Sequence, residues 1–297
     1  MTSNSLRVFL ELARAGSVRA AAARLHVTQP AVTAAVRSLE RELRTPLVAR
    51  QGRGIVLTPA GRVLAGYAAR VLGLLEETRA AVSEAADPER GRIRLAAVTT
   101  AGEHVLPPLI RDFRARHPGV EVSLEVGNRS LVWERLRDRE VDLAIGGRPP
   151  AGVGFTGTAF RSNDLVVAAP ASMTVKREPA SPAALADATW LLREEGSGTR
   201  ATAEEFFAGA GIAPATLTIG SNGAIVESVA AGLGITLISL DAVRRAAEAG
   251  TVRVVRVRGL PLRRDWHVVT RSGEEPRGAP GMFREFLLQV GAATVPG

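Results

Sequence analysis

Four segments of the chain place hydroxyl, amide or glycine residues just before a predicted helix. Backbone N–H groups at a helix N-terminus attract anions, and glycine lets the backbone approach a ligand closely. One such segment alone is more often an ordinary helix cap. Four of them around one cleft predict a site for an anionic or carbonyl-bearing small molecule. The candidate ligand residues are Thr99, Thr100, Gly127, Asn128, Ser197, Gly198, Thr199, Arg200 and Asn222.

Residues that could support an enzyme form no convincing motif. Gly152, Gly154 and Gly157 spell the dinucleotide pattern G-x-G-x-x-G, but they follow Pro149-Pro150 rather than a strand, and no clear helix follows them. There is no P-loop, and the four histidines lack the spacing of metal ligands. The absence of cysteine excludes disulfides and thiolate chemistry. We therefore expect no catalytic residue, no metal and no cofactor.

Positive charge is concentrated at the N-terminus. The first 70 residues contain eleven arginines and three glutamates, so the whole net charge of +8 lies in this quarter of the chain. Such asymmetry indicates a polyanionic partner, with nucleic acid as the first choice and an anionic membrane as the second. A merely solvated basic face is the alternative. At 297 residues and 46% hydrophobic composition, the chain can form two or more packed domains.

The segment RLHVTQPAVTAAVRSLE, residues 24–40, predicts two helices that meet at a corner. Val32, Ala35, Val36, Leu39 and Leu43 have the spacing of one buried helical stripe. Thr28 can cap this helix, and proline is tolerated in its first turn. Two shorter helices precede it, and PLVARQGRGIVLTPAG reads as strand, turn and strand. Together these elements predict a winged helix-turn-helix, although helical corners also occur in other all-α domains.

The outer face of this third helix would enter the major groove of DNA. Gln29 and Thr33 lie near its start and can reach base edges, whereas Arg37, Arg50 and Arg53 suit phosphates or a minor groove. The helix-turn-helix is predicted from Val18 to Arg37. The candidate DNA-binding residues are Thr28, Gln29, Pro30, Thr33, Ala34, Arg37, Arg50 and Arg53.

A long helix is expected from Thr58-Pro59 to about Ala86. Its apolar residues alternate spacings of four and three, which is a heptad seam. The seam predicts pairing with a second copy, and packing inside one subunit is the alternative. The seam residues are Leu64, Ala68, Val71, Leu75, Thr78 and Val82. The segment ADPERG, residues 86–91, then reads as an interdomain break.

From Ile93 onward, short β-rich segments alternate with helical segments, which predicts βαβ units with parallel sheets. The first strands are IRLAAVT, VEVSLEV and VDLAI, and a second set begins near Leu165. The chain then returns through DWHVVT to a final helix near 282–290. Two lobes joined by two crossings near 161–164 and 263–265 predict a hinged small-molecule binder.

These motifs resemble a known family, the LysR-type transcriptional regulators. FLELARAGSVRAAAARLHVTQPAVTAAVRSLERELRTPLVAR and LTPAG carry the resemblance of residues 1–85 to the DNA-binding region of that family. Ala34, Arg44 and Val48 depart from the usual residues of the family at their positions. The rest of the chain resembles the LysR effector domain, which is similar to periplasmic solute-binding proteins.

A finer resemblance concerns the LysR subgroup that controls carbon-dioxide-fixation operons. EVGNRS, GGRPP, EEGSGTR, GSNGAI, AGLGITLISL and GLPLRRDWHVV carry it, whereas TTAGEH departs from the subgroup's loop that contains lysine and aromatic residues. The resemblance implies an effector that is a phosphorylated sugar or a nicotinamide nucleotide. It also implies a homodimer, with a tetramer built as a dimer of dimers.

The sequence thus predicts an α/β fold with an N-terminal winged helix-turn-helix, a long linker helix and a two-lobed effector domain. The expected bounds are 1–58, 59–90 and 91–297, with lobe I at 91–162 and 266–297 and lobe II at 163–265.

The expected function is sequence-specific regulation of transcription that responds to a small anionic metabolite. The expected partners are double-stranded operator DNA, the effector and a second copy of the chain. The alternative is a small-molecule-binding or enzymatic α/β protein with a fused basic segment. With no signal peptide and no apolar run of membrane length, a cytoplasmic protein without a membrane partner is expected.

Overall fold

The computed structural model describes residues 1–52, 54–86, 90–175 and 177–294. The chain divides into an N-terminal unit, Met1–Ala86 with Arg137–Glu140, and a C-terminal unit, Asp87–Leu136 with Val141–Gly297. No helix in the described ranges combines the length and the apolar character needed to span a membrane.

The N-terminal unit is a winged helix-turn-helix followed by a long helix, as predicted. Ser17 and Thr28 cap the second and third helices by accepting hydrogen bonds from the N–H groups of Ala20 and Ala31. The two strands pair antiparallel, and Arg53 between them lies outside the described residues. The elements are α1 Ser3–Ala15, α2 Val18–Leu25, α3 Gln29–Leu43, β1 Val48–Gln51, β2 Gly54–Leu57 and α4 Pro59–Ala86.

Helix α3 buries one face and exposes the other. Val32, Val36 and Leu39 pack into the core of the N-terminal unit, which confirms most of the predicted stripe. Leu43 is 41% exposed, so its predicted burial is wrong; it lies in the last turn, beyond the packed part of the helix. Arg44 ends the helix with a φ of 50°, the left-handed conformation that glycine adopts most easily, which is why glycine suits this position.

The predicted seam of α4 divides into two parts. Leu64 and Ala68 pack into the core of the N-terminal unit, in agreement with the alternative of packing inside one subunit. Other apolar side chains of α4, both among these turns and farther along the helix, remain exposed in the single chain. This exposed stripe consists of Val63, Tyr67, Val71, Leu74, Leu75 and Val82, which are between 40% and 68% exposed.

The C-terminal unit contains a seven-stranded mixed sheet and a separate pair of strands. The order of the large sheet is β10-β6-β11-β5-β3-β4, β9 also pairs with β6, and β7 pairs with β8. The strands are β3 Gly91–Val98, β4 Val120–Gly127, β5 Leu143–Gly146, β6 Phe155–Pro170, β7 Trp190–Leu192, β8 Thr216–Thr218, β9 Thr236–Ser239, β10 Val252–Val255 and β11 Leu262–Arg271.

Parallel pairing was predicted throughout, and the structure corrects this. Strands β3, β4 and β5 are parallel, but β6 pairs antiparallel with β9, β10 and β11. Strand β6 begins at Phe155, ten residues before the predicted start at Leu165. The pattern G-x-G-x-x-G therefore runs into a strand, with no helix N-terminus for a pyrophosphate.

Strands β6 and β11 connect two hydrophobic cores, one in each lobe. The core of lobe I surrounds β3, β5 and the last helix, and the core of lobe II surrounds β7, β9 and β10. Asn163 of β6 pairs with Arg264 of β11 where the two strands pass between the lobes. The helices are α5 Leu106–Arg116, α6 Arg129–Arg137, α7 Gly198–Ala210, α8 Asn222–Ala230, α9 Leu240–Glu248 and α10 Gly278–Thr294, and a π-helical turn Ala101–Val105 precedes α5.

Candidate functional site

The exposed face of α3 and the first wing strand form one shallow depression, here called the recognition surface. It contains six of the eight residues predicted to contact DNA. Thr28 is outside it because its side chain caps α3, and Arg53 lies outside the described residues. The lining residues are Val18, Gln29, Pro30, Thr33, Ala34, Arg37, Glu40, Arg41, Arg44, Thr45, Pro46 and Arg50.

The start of α3 offers polar groups to a ligand. The Gln29 amide is exposed and makes no side-chain hydrogen bond to another described residue. The Thr33 hydroxyl donates to the Gln29 carbonyl oxygen at 3.1 Å, which leaves its lone pairs free to accept. Gln29 can therefore present both a donor and an acceptor, the combination that an adenine edge requires in the major groove.

Arginines line the rest of the recognition surface. Arg41 and Arg44 join the predicted Arg37 and Arg50, and none of the four forms an ion pair with a described residue. The one carboxylate among the lining residues, Glu40, accepts hydrogen bonds from the backbone N–H groups that begin the wing. Neither Arg41 nor Arg44 is among the residues predicted to contact DNA, although the spacing of α3 places Arg41 on its outer face, one helical turn beyond Arg37. This surface therefore offers several guanidinium groups to phosphates.

A second site is a cavity of about 360 Å³ between the lobes of the C-terminal unit, here called the effector cavity. It contains seven of the nine predicted ligand residues. The lining residues are Val98, Thr99, Thr100, Gly127, Asn128, Arg129, Gly147, Arg148, Asn163, Leu165, Arg193, Ser197, Gly198, Thr199, Thr202, Arg264, Asp265, Trp266 and His267.

Helix N-termini from both lobes meet at the effector cavity. In lobe I, Asn128 caps α6 by accepting from the N–H of Leu131 at 3.0 Å, and Thr100 precedes the π-helical turn without capping it. In lobe II, Ser197 directly precedes α7, and its hydroxyl forms no capping bond although the residue is only 8% exposed. These ends supply backbone N–H groups and hydroxyls of the kind that bind anions.

Arg200 and Asn222 do not line the effector cavity. Arg200 forms an ion pair with Glu204 at 2.8 Å, one turn along α7, and lies on a neighbouring depression. Asn222 is fully buried, and its amide donates to the Thr100 hydroxyl at 2.7 Å. Its amide oxygen accepts from Arg193. Asn222 therefore holds the cavity residue Thr100 in place without lining the cavity itself. The hydrogen bond between Asn222 and Thr100 joins the two lobes.

Arg193 is the principal residue that the sequence analysis missed. It is 5% exposed, and its guanidinium contacts Asn222, the Thr99 hydroxyl at 3.3 Å and the Glu194 carboxylate at 2.7 Å. Burial raises the pKa of Glu194, but the hydrogen bonds and the charge of Arg193 outweigh burial and hold this pKa below 4.5. The signal available in the sequence was a charged residue placed directly after the short apolar segment Trp190–Leu192.

Further cations face the effector cavity. Arg129 and Arg148 line it, and neither forms an ion pair with a described residue. Arg264 also lines it but donates to Glu205 at 3.2 Å, and Asp265 adds one carboxylate. Arg129 follows the predicted ligand residues Gly127 and Asn128 in the same loop, whereas no ligand role was predicted for Arg148, Asn163, Thr202, Arg264 or His267. Within the described ranges, no cluster of His, Cys, Asp and Glu could hold a metal ion.

Comparison with known families decides the classification. Residues 3–62 match the protein family described as "Bacterial regulatory helix-turn-helix protein, lysR family", and residues 86–292 match the family described as "LysR substrate binding domain". The chain belongs to the LysR family of transcriptional regulators. The α/β fold with a winged helix-turn-helix, a linker helix and a two-lobed effector domain agrees with this assignment.

Relatives of this LysR regulator include proteins named for carbon fixation. It is 36% identical over 293 residues to a RuBisCO operon transcriptional regulator of Acidithiobacillus ferrooxidans, covering 98% of this chain and 94% of the relative. It is 38% identical over 292 residues to the RuBisCO operon transcriptional regulator of Allochromatium vinosum, covering 97% and 95%. These relatives confirm the resemblance to the subgroup that controls carbon-dioxide-fixation operons.

Solved structures of LysR regulators share the fold. The regulatory domain of CcmR from Synechocystis PCC6803, in complex with 2-PG, is 30% identical, with a TM-score of 0.65, and the match covers 68% of this chain and 98% of that domain. Full-length CbnR complexed with its target DNA is 23% identical, with a TM-score of 0.71, and covers 98% of this chain and 99% of CbnR. At that identity, the CbnR likeness shows the fold alone.

Proposed function

We propose that this LysR regulator binds operator DNA through the recognition surface. The exposed face of α3 carries the proposal, because Gln29 and Thr33 lie there beside four arginines that form no ion pair with any described residue. Gln29 and Thr33 contact base edges, and Arg37, Arg41, Arg44 and Arg50 contact phosphates. Because operator DNA lies in the cytoplasm, we place the action of the protein there.

The proposed effector is a small phosphate ester bound in the effector cavity. Arg129, Arg148 and Arg193 supply positive charge, and the N-termini of α6 and α7 supply N–H groups. The cavity of about 360 Å³ is at the low end of the range for ligand sites, which favours a small phosphorylated acid or sugar over a nicotinamide dinucleotide. The CcmR regulatory domain in complex with 2-PG supports this ligand class.

The proposed assembly is a homodimer, with a tetramer formed as a dimer of dimers. The exposed stripe of α4 supports it, because six apolar side chains would leave water when two such helices pair. We propose the bounds 1–58 for the DNA-binding domain, 59–90 for the linker and 91–297 for the effector domain. We also propose that the protein is not an enzyme, in line with relatives that are named as transcriptional regulators.

Selection of genomic fragments tests the DNA-binding proposal. The purified full chain is mixed with sheared genomic DNA, and the retained fragments are sequenced. The proposal predicts enrichment of a few sites, with affinity that falls steeply as salt rises. Uniform retention of all fragments would show that the protein binds DNA without sequence specificity. No retention at low salt would contradict DNA binding altogether.

Calorimetry tests the effector proposal. The full chain is titrated with 2-phosphoglycolate, other small phosphate esters and NADPH. Arg148→Gln removes one cavity cation and should weaken the best ligand by about 10–100-fold, the range for hydrogen bonds to charged groups. Arg258→Gln, an exposed arginine of lobe II outside the cavity lining, is the matched control and should change nothing. Equal weakening in both variants would show that the phosphate binds elsewhere.

A further inference from the structure

Two rows of side chains run along the exposed face of α3 and differ in polarity. Gln29, Thr33 and Arg37 follow each other at intervals of four residues, and all three carry polar groups. Pro30 and Ala34 form the row beside them, and neither has a polar atom in its side chain. Because residues four apart lie one above the other on a helix, each row presents one kind of surface to a ligand.

The apolar row faces outward rather than into the protein. Pro30 and Ala34 are both exposed, whereas the core of the N-terminal unit takes Val32 and Val36 from the opposite face of α3. Val18, at the start of α2, lines the same depression as Pro30 and Ala34. The recognition surface therefore contains an apolar patch of three residues beside its polar row.

The major groove of DNA offers one apolar group to such a patch. Base edges there carry hydrogen-bond donors and acceptors, and thymine adds its 5-methyl group. The side chain of alanine cannot hydrogen-bond to a base, but its methyl group can pack against that of thymine and remove it from water. We infer that Ala34 contacts a thymine methyl group, so that the operator carries a thymine near the base pair that Gln29 contacts. This inference rests on the DNA binding proposed above.

Deoxyuridine, which is thymidine without the 5-methyl group, tests the inference. In an operator obtained by selection from genomic DNA, each thymine is replaced in turn by uracil, which keeps every hydrogen bond of the base pair. Anisotropy titrations with the full chain should show one position where this replacement weakens binding about fourfold, the effect of one methyl group that leaves water. When that position carries a C·G pair instead, 5-methylcytosine should bind more tightly than cytosine by a similar factor.

Variants of α3 identify the side chain that contacts the methyl group. Ala34→Gly removes that side chain, so thymine and uracil should be bound equally at the sensitive position. Ala31→Gly is the matched control, because Ala31 is exposed on the same helix but does not line the recognition surface, and it should keep the preference for thymine. Ala34→Arg introduces a donor for guanine, so selection with this variant should replace thymine by guanine there. Thermal melts confirm that each variant is folded, and the comparison of thymine with uracil in wild type needs no variant.

The possible results separate the inference from the proposal beneath it. If no replacement of thymine by uracil weakens binding by wild type, the inference is wrong and sequence-specific DNA binding still stands. A preference for thymine that survives in Ala34→Gly would overturn the role of Ala34 and show that another side chain contacts the methyl group. If selection yields no specific sequence, the proposed contacts with base edges are wrong and the inference falls with them.

Discussion

Replacing Thr100 with valine removes one of the hydrogen bonds that join the two lobes beside the effector cavity. Thr100 is 5% exposed, and its hydroxyl accepts from the Asn222 amide at 2.7 Å. Valine has nearly the same volume but no acceptor, and Asn222 is fully buried, so one N–H of its amide would be left unpaired. The unpaired N–H destabilises the closed structure by about 1–3 kcal/mol.

The loss of this hydrogen bond destabilises mainly the arrangement in which the two lobes are in contact. Thr100 follows β3 in lobe I and Asn222 begins α8 in lobe II, so the bond forms only when the lobes are together. Its loss shifts the equilibrium toward separated lobes by about 5–150-fold. A ligand that binds the closed arrangement therefore loses affinity by up to that factor.

Calorimetry with the tightest-binding phosphate ester measures this loss. Thr236→Val is the matched control, because Thr236 is 2% exposed and its hydroxyl donates to the Leu191 carbonyl at 2.8 Å within lobe II. Both variants should melt at lower temperature, but only Thr100→Val should bind the ligand more weakly. Operator affinity without effector should be unchanged in both. Equal ligand affinity of the two variants would show that the hydrogen bond between Thr100 and Asn222 does not stabilise the closed lobes.

Three further predictions concern DNA contact, assembly and pH. Gln29→Ala should weaken binding to the preferred site by about 1–3 kcal/mol and reduce discrimination between bases there. Arg50→Ala should instead lower the affinity for all DNA sequences alike and reduce the slope of log affinity against log salt concentration by about 1. Fluorescence anisotropy titrations at several salt concentrations compare the two variants. The double variant Val71→Glu, Leu75→Glu should dissociate the dimer, because its carboxylates would be buried without partners, and an unchanged mass in light scattering would count against the pairing of α4. Because the pKa of Glu194 is held below 4.5, its ionised form stabilises the fold above that pH and loses this effect as pH falls below it. The drop in Tm caused by Glu194→Gln should therefore be larger at pH 7 than at pH 4.

The N-terminal unit could be predicted closely because its signals are local. Caps at Ser17 and Thr28, a proline in the first turn of α3 and a helical stripe each act within a few residues. The burial of Ala68 and the exposure of Tyr67 could not be predicted in the same way. Both depend on which turns of α4 pack against α1, a tertiary contact that the heptad pattern does not encode.

Most of the hydroxyl, amide and glycine residues of the effector cavity could be predicted from the sequence, whereas several of its charged residues could not. Segments such as Ser197–Thr199 can be recognised in the sequence because glycine and hydroxyl residues stand next to a predicted helix start. Arg193 and Asn163 lie at strand ends or in strands, and only the pairing of β6 with β11 and the packing of α8 bring them to the cavity. The early start of β6 at Phe155 was missed because the glycines before it resemble a loop.

Footprinting of the full chain on a selected operator, with and without its phosphate-ester effector, shows whether effector binding in the cavity is coupled to DNA binding at the recognition surface. Coupling gives sequence-specific protection without effector and a changed length or pattern of protection at saturating effector. An identical footprint at a concentration where calorimetry shows the cavity to be filled would contradict it.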